Sequence, residues 1–451
     1  MDATALIFVN AQAKDDPDLP RSFLRVGGIS LLERQLRQLR RLGIEKVRLM
    51  TSNYKDIFQR TTFQTVPESI EILDYRDAKA TNFWLADEKV LVLEEGVLID
   101  ERLIKAVLEG KQKAKRKLVV FPANTVIYGK GLGLKLQDTV AELLFGSVAL
   151  VRGVDIMYAA SETSFATHPL KATLKAALGA GKAAYIDIST MPTYLPDRRR
   201  EVPIMWRPVA EKAETGKATR ALIAMAQKGV LDWPARWIHP LFENPMVEFI
   251  CPTPITPNFV TLVTIIVGLY IAWLFFTGQM AWALMGALVI GVLDGVDGKL
   301  ARTKMLQTRI GELEHIADKV IEYAWYFAIA GYLSTVEGNA LPWALSILIV
   351  LFAWAEVVQG EFFRRLTGKQ LDDAGDFERK FRIVGARRNT QIWAFIPFAL
   401  TDTWLLGFWF VAIYAAVTFF VAQARFIIRV RDYGSEKSLE IKKNFEDTAY
   451  F

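Results

Sequence analysis

The sequence predicts two domains suited to different solvents: an α/β domain with a mostly parallel sheet, then an all-α integral membrane domain of six transmembrane helices. Three observations carry this reading. Through the first half, short apolar runs alternate with segments of helical period, the pattern of strands joined by covering helices. Through the second half, long apolar segments follow one another, and spanning hydrocarbon takes roughly 20 such residues. Lys and Arg there fall in every second connection.

In the first half, residues 5–9, 46–50, 89–93 and 117–121 read as buried strands. Between the first two, Leu31, Leu32, Leu36, Leu39 and Leu42 recur at helical spacing, with Gly27-Gly28 as the turn ahead of them. No basic stretch precedes an apolar run at the start, so no secretory signal is expected. Asp197-Arg-Arg-Arg-Glu201 marks a surface loop near the end of this domain. Residues 212–231 read as a helix. The following stretch, 232–242, mixes Trp, Phe and Ile with Arg and Asp, which suits the water–lipid boundary or a linker packed on the soluble domain. The expected division is 1–207 for the α/β domain, 208–250 for linker and interfacial helices, 251–433 for the membrane domain and 434–451 for a tail.

The six spans are expected at 259–276, 281–293, 320–333, 341–358, 390–400 and 404–428. The connections 277–280, 334–340 and 401–403 carry no Lys or Arg. The alternate ones are basic, through Lys299, Arg302, Lys304 and Arg309, then Arg364, Arg365, Lys369, Arg379, Lys380, Arg382, Arg387 and Arg388. By the positive-inside rule these face the cytoplasm, as do the α/β domain and the C-terminus, giving a protein of the cell inner or plasma membrane. The 451 residues are 52% hydrophobic with mean hydropathy +0.20, which excludes a disordered chain. A single cysteine, Cys251, excludes an intramolecular disulfide, and three histidines leave little room for a histidine-rich metal centre.

Chemistry is concentrated around spans two and three. Asp294 and Asp297 are three apart, Glu314 and Asp318 four apart, so each pair shares one helical face near the cytoplasmic boundary. A carboxylate deep in a membrane helix costs roughly 2.5–3.5 kcal/mol on insertion scales. Hard divalent cations with oxygen ligands are the simplest compensation. Gly298 permits close approach of a ligand, Ala301 keeps the helix face small, and Arg302 offers a planar fork for phosphate oxygens. The set suits a diphosphate substrate.

The run Asp294-x-x-Asp297-Gly298-x-x-Ala301-Arg302, with Gly311 following after eight residues, resembles the motif of the CDP-alcohol phosphatidyltransferase family. That motif continues with acids that would fall at His315 and Lys319, whereas the acids present are one position early, at Glu314 and Asp318. A one-residue deletion after Gly311 keeps their spacing of four; the other register loses two carboxylates. The resemblance covers about residues 255–431 and includes Pro257-Asn258-x-x-Thr261 ahead of span one. It implies release of CMP from a CDP-alcohol donor by an acceptor hydroxyl, a polyol phosphate or lipid alcohol. It also implies Mg²⁺ or Mn²⁺ in a two-metal site held by Asp294, Asp297, Glu314 and Asp318. Asp318 would serve as metal bridge or general base, and Gly298, Ala301, Arg302 and Asn258 as CDP contacts. Dimerisation and contact with membrane lipids follow by the same resemblance, and no nucleic-acid partner is expected. His315 is either a substrate contact or a polar residue on another face. Arg364, Arg365, Arg382, Arg387 and Arg388 grip an acceptor phosphate or lipid headgroup, or serve only as positive-inside charge, and Glu356 and Glu361 are candidates for the same polar cavity.

The stretch from Phe23 to Leu49, with Val90-Leu-Val-Leu93 and Gly96-Val-Leu-Ile-Asp100, resembles a sugar-nucleotidyltransferase-like domain. Its catalytic parts are missing: Asn10-Ala-Gln-Ala-Lys14 lacks the glycine-rich phosphate loop, Arg21-Ser22 stands for Lys-Pro, and Gly96 replaces the metal-binding aspartate, with only Glu94 and Glu95 beside it. A degenerate domain without nucleotidyl transfer is expected. The other readings are a bifunctional enzyme that also makes the CDP-alcohol from CTP, and a non-catalytic membrane scaffold or transporter with a relict site.

Overall fold

The computed structural model describes residues 3–52, 69–75, 83–109, 114–122, 132–134, 143–181, 183–306 and 310–436. The chain folds into two compact units, residues 1–193 with 202–222, and residues 194–201 with 223–451.

The first unit is built on strands β1 (Thr4–Phe8), β2 (Lys46–Thr51), β3 (Ser69–Asp74), β4 (Lys89–Leu93), β5 (Arg116–Pro122), β6 (Leu132–Leu134), β7 (Leu143–Arg152) and β8 (Ala183–Asp187). They form one sheet in the order β8-β5-β7-β4-β1-β2-β3, with β6 on β7. The pairings β1–β2, β1–β4, β2–β3 and β5–β8 are parallel. Those of β7 with β4, β5 and β6 are antiparallel. The sheet is therefore mixed, because β7 runs against its neighbours through the middle of an otherwise parallel array. All five residues of β1 are buried, the signature of a strand covered on both faces. Helix α1 (Leu31–Arg41) covers one face with Leu32, Leu36 and Leu39. Ser30 caps it by accepting from the Glu33 N–H, the hydrogen bond that makes serine a favoured N-cap. Helices α2 (Glu101–Glu109), α3 (Gly153–Ser161) and α4 (Pro169–Gly179) complete the layers, and α5 (Lys212–Ala226) follows.

Strand β1 is flanked on one side by β2 and on the other by β4. In open α/β sheets, ligands enter the crevice at the carboxyl ends of strands where the strand order reverses. Here that crevice is occupied by the protein itself. Glu95 Oε1 accepts from the backbone N–H groups of Asn10 at 2.8 Å and Ala11 at 2.6 Å. Glu94 Oε2 accepts from Ser147 Oγ at 2.6 Å, and Ser147 Oγ in turn accepts from Trp206 Nε1 at 2.8 Å. Gly96 has φ +68°, and a Cβ there would lie 2.5 Å from the Arg21 side chain. A side chain at this position would have to displace Arg21, which donates to the Val209 carbonyl at 2.8 Å, in a backbone conformation that favours glycine.

The second unit contains α6 (His239–Ile250), α7 (Pro257–Phe276), α8 (Met280–Lys304), α9 (Ile310–Glu337), α10 (Leu341–Thr367), α11 (Asp376–Val384), α12 (Arg388–Ala394), α13 (Ile396–Leu400) and α14 (Trp404–Glu436). Among the described residues, four helices are long and apolar enough to cross a membrane: Pro257–Phe276, Met280–Lys304, Leu341–Thr367 and Trp404–Gly434. The third expected span lies in α9, whose 28 residues include the acids and Lys319 that lower its hydropathy. The fifth is not one continuous helix: α12 and α13 meet at Phe395, where Pro397 supplies no N–H for the preceding turn. The core is a layer of Phe275, Trp325, Tyr326, Phe395 and Phe408, while Phe259, Ile266, Trp282, Leu351 and Phe420 point outward.

Burial pushes the Glu95 carboxyl up to about 7, against the two backbone N–H donors and Arg21 that favour its charged form. Its Oε2 is sealed from solvent and has no hydrogen-bond partner among the described residues. The folded state therefore holds this proton more tightly than the unfolded chain. Stability is full below the unfolded value of 4.5 and declines by about 2–3 kcal/mol as pH rises to the folded value. Thermal unfolding of the first unit, followed by tryptophan fluorescence from pH 4.5 to 8, is expected to show this decline. Glu95→Gln is expected to remove the Glu95 share of it.

Candidate active site

Asp294 and Asp297 project from α8, and Asp318 from α9, into the wall of one cavity of about 340 Å³. Gly298, Ala301, Arg302 and Asn258 line the same cavity, so the expected CDP contacts and three of the four expected metal ligands share one space. The α-helix of 3.6 residues per turn brings Asp294, Asp297, Gly298, Ala301 and Arg302 to neighbouring faces. Asn258 arrives from the first turn of α7, which Thr256 caps by accepting from the Phe259 N–H, with Pro257 at its start.

Each acid has protein partners. Asp297 is 2% exposed, and its Oδ2 accepts from Thr261 Oγ1 at 2.8 Å. This contact explains the Pro-Asn-x-x-Thr spacing, since Thr261 lies one turn beyond Asn258. Arg388, at the start of α12, donates to Asp294 and stands 3.5 Å from Asp318. A guanidinium thus bridges the carboxylates of two helices. Arg302 is held by donation to the Ala226 carbonyl at 2.8 Å. Lys299 pairs with Glu243 at 2.7 Å, and Lys319 with Glu322 at 2.7 Å.

The donor set consists of carboxylate oxygens, the ligands that Mg²⁺ and Mn²⁺ take. Among the described residues no three acid, histidine or cysteine side chains converge closely enough to hold an ion by themselves. The side chains of Glu314 and His315 lie outside the described part, although their backbone belongs to α9.

The arginines divide. Arg364, Arg382 and Arg387 line a second cavity of about 1480 Å³, and Arg382 lines the first cavity as well. Arg365 does not line it: it sits exposed at the end of α10 and pairs with Glu361 at 3.0 Å. Arg388 belongs with the acids. Sequence reasoning missed Arg199 and Arg425, both in the wall of the larger cavity. Arg199 occupies the tight turn between Tyr194–Leu195 and Arg200–Glu201 with φ +53° and donates to Asp372 at 2.8 Å. The run Asp197–Glu201 is therefore no plain solvent loop. Glu356 and Glu361 line this cavity too. Burial works to raise the Asp372 carboxyl, but Arg382, Arg199 and Arg387 outweigh it and hold it below the usual carboxylate range. Val357, Phe377 and Phe381 add apolar surface to a lining whose arginines are interleaved with Glu356, Glu361, Asp372 and Glu378.

Residues 254–372 match the family model described as CDP-alcohol phosphatidyltransferase. The chain is similar to a protein named "Bifunctional IPC transferase and DIPP synthase" from Aquifex aeolicus (strain VF5), 22% identical over 395 residues that cover 85% of this chain and 87% of the relative. A protein of the same name from Archaeoglobus fulgidus is 24% identical over 221 residues, 48% of this chain and 42% of that one. Among solved structures, the inositol-1-phosphate CTP transferase from T. maritima aligns with 48% of this chain and 92% of its own, at 14% identity and a TM-score of 0.34. The second unit thus carries a CDP-alcohol phosphatidyltransferase domain, and the protein is a transferase.

Proposed function

We propose that the protein is an integral membrane CDP-alcohol phosphotransferase, acting in phospholipid or polar-lipid synthesis, with six spans, a cytoplasmic α/β domain and a cytoplasmic C-terminus. The observation that carries this is the convergence of Asp294, Asp297 and Asp318 with Gly298, Ala301, Arg302 and Asn258 on one cavity. Carboxylates within an apolar bundle are costly and mark a functional site, and the small residues and Arg302 beside them suit a phosphate ligand.

Asp294, Asp297, Glu314 and Asp318 are the proposed holders of one or two divalent ions, Mg²⁺ or Mn²⁺. When bound, such ions neutralise charge on the attacked and leaving phosphates. Asn258, Gly298 and Ala301 hold the CDP moiety, and Arg302, fixed by the Ala226 carbonyl, donates to its phosphate oxygens. The acceptor oxygen bonds to the β-phosphorus, the bond from that phosphorus to CMP breaks, and Asp318 takes the hydroxyl proton as general base. Arg388 keeps Asp294 and Asp318 facing the same space. The larger cavity supports an acceptor or lipid headgroup that carries an anionic group, gripped by Arg364, Arg382 and Arg387 and joined to the first cavity through Arg382.

The α/β unit is proposed to make no CDP-alcohol. The N–H groups of Asn10 and Ala11, which would cradle a phosphate at the end of β1, are taken by Glu95. The relative from Aquifex, matched over 85% of this chain, is named as bifunctional, which keeps a second reading in which the α/β unit makes the CDP-alcohol, and two assays separate them. Purified full-length protein incubated with CDP-diacylglycerol or a soluble CDP-alcohol, Mg²⁺ and candidate acceptors is expected to release CMP. Release is expected to stop with EDTA and to fall at least about a hundredfold in Asp297→Asn; unchanged release in that variant refutes the proposal. With CTP, Mg²⁺ and polyol phosphates, no pyrophosphate is expected. Its appearance would restore the bifunctional reading.

A further inference from the structure

Helix α6 is inverted relative to an ordinary surface helix. The residues it buries against its neighbours are His239, Glu243 and Val247, four apart, while Leu241, Phe242 and Phe249 are 69%, 55% and 78% exposed. The facing stripe on α8 is Gly291, Gly295 and Lys299, also four apart. A Cβ on Gly295 would lie 2.0 Å from Glu243 Oε1, and one on Gly291 would lie 3.2 Å from the His239 ring. The two glycines therefore open a groove in the motif helix that His239 and Glu243 fill.

The groove is a closed charge chain. Lys299 Nζ pairs with Glu243 Oε2 at 2.7 Å and donates to Asn244 Oδ1 at 2.6 Å. Glu243 Oε1 lies 3.6 Å from His239 Nδ1. His239, Glu243 and Lys299 are 2–3% exposed. A buried pair of this kind is weak support for stability, since well-packed apolar residues commonly do as well. All three nevertheless line the cavity that holds Asp294, Asp297 and Asp318. Gly291, which His239 covers, precedes Asp294 by three residues, about 4.5 Å along the helix, while Arg302 follows it by eight, about 12 Å. His239 thus lies on the side of the acids away from the proposed CDP contacts.

We infer that α6 is a wall of the substrate site and that His239, oriented by Glu243, is a positioning residue for the diphosphate end of the donor, beyond the nucleoside. This rests on the CDP-alcohol reading above. Glu243 faces Nδ1 at 3.6 Å and orients the ring by charge and packing rather than by a hydrogen bond, Lys299 neutralises Glu243, and the other ring nitrogen is left for the β-phosphate and the alcohol it carries.

The test is calorimetric binding of CDP and of CMP, each with Mg²⁺, to full-length protein in detergent. His239→Ala is expected to weaken CDP about tenfold or more and CMP less than about threefold, at an unchanged unfolding temperature, with His239→Gln restoring part of the CDP affinity. Loss of CDP and CMP in equal proportion, or of neither, overturns the inference. The double variant Glu243→Gln with Lys299→Met removes both charges together and avoids a lone buried ion. It is expected to reproduce the CDP-selective loss, and wild-type CDP affinity in it overturns the orienting role of Glu243. Wild-type protein that binds neither nucleotide would instead defeat the CDP-alcohol reading itself.

Discussion

Placing carboxylates among apolar helices is the constraint around which the second unit is arranged. Asp297 is almost completely buried, and Asp294 and Asp318 stand nearby on two helices. Each carboxylate would be expelled or neutralised unless something balanced it. The structure supplies balance from three directions: the Thr261 hydroxyl from α7, the Arg388 guanidinium from α12, and the cavity itself, open to a charged ligand. Lys299 and Lys319, the nearest cations in sequence, are engaged with Glu243 and Glu322. The acids are consequently held in part by partners from other helices, Thr261 and Arg388, with Asp297 also accepting from the Gly298 N–H on its own helix.

The same economy explains the small residues of α8. Gly291 and Gly295 admit α6, and Gly298 lies against the Arg302 guanidinium, 3.2 Å from where a Cβ would stand. Larger side chains at the first two would push away the element that carries His239 and Glu243. In the first unit a comparable close approach recurs. Gly96 admits the Arg21 side chain, and Glu95 accepts from the N–H groups of Asn10 and Ala11 at the end of β1.

Much of this was legible in the residues. The strands around residues 5–9 and 46–50 were visible as short apolar runs and the helix between them by its leucine period, and the acid spacing pointed to the family of the C-terminal domain. Strand Leu143–Arg152 escaped notice because Gly146-Ser147 interrupts its apolar run, Ser147 having φ +66°. The 390–400 segment reads as a span by hydropathy, and the structure forms it as two short helices that meet at Phe395, just ahead of Pro397. Arg199 and Arg425 were hidden because a basic residue near a membrane is uninformative until its partner is known, here Asp372 and Glu378. His239 and Glu243 were overlooked for a related reason. The aromatic residues beside them dominated the reading, whereas the four-residue stagger shared with Gly291 and Gly295 was the available signal.

The central claim is that the acids of α8 and α9 exist to hold divalent ions against a diphosphate. Anomalous diffraction from crystals of the protein grown with Mn²⁺ and CDP tests this most directly. The account predicts manganese density among Asp294, Asp297 and Asp318, in contact with the phosphates of CDP. Full-occupancy CDP in that cavity with no manganese beside these carboxylates would contradict it.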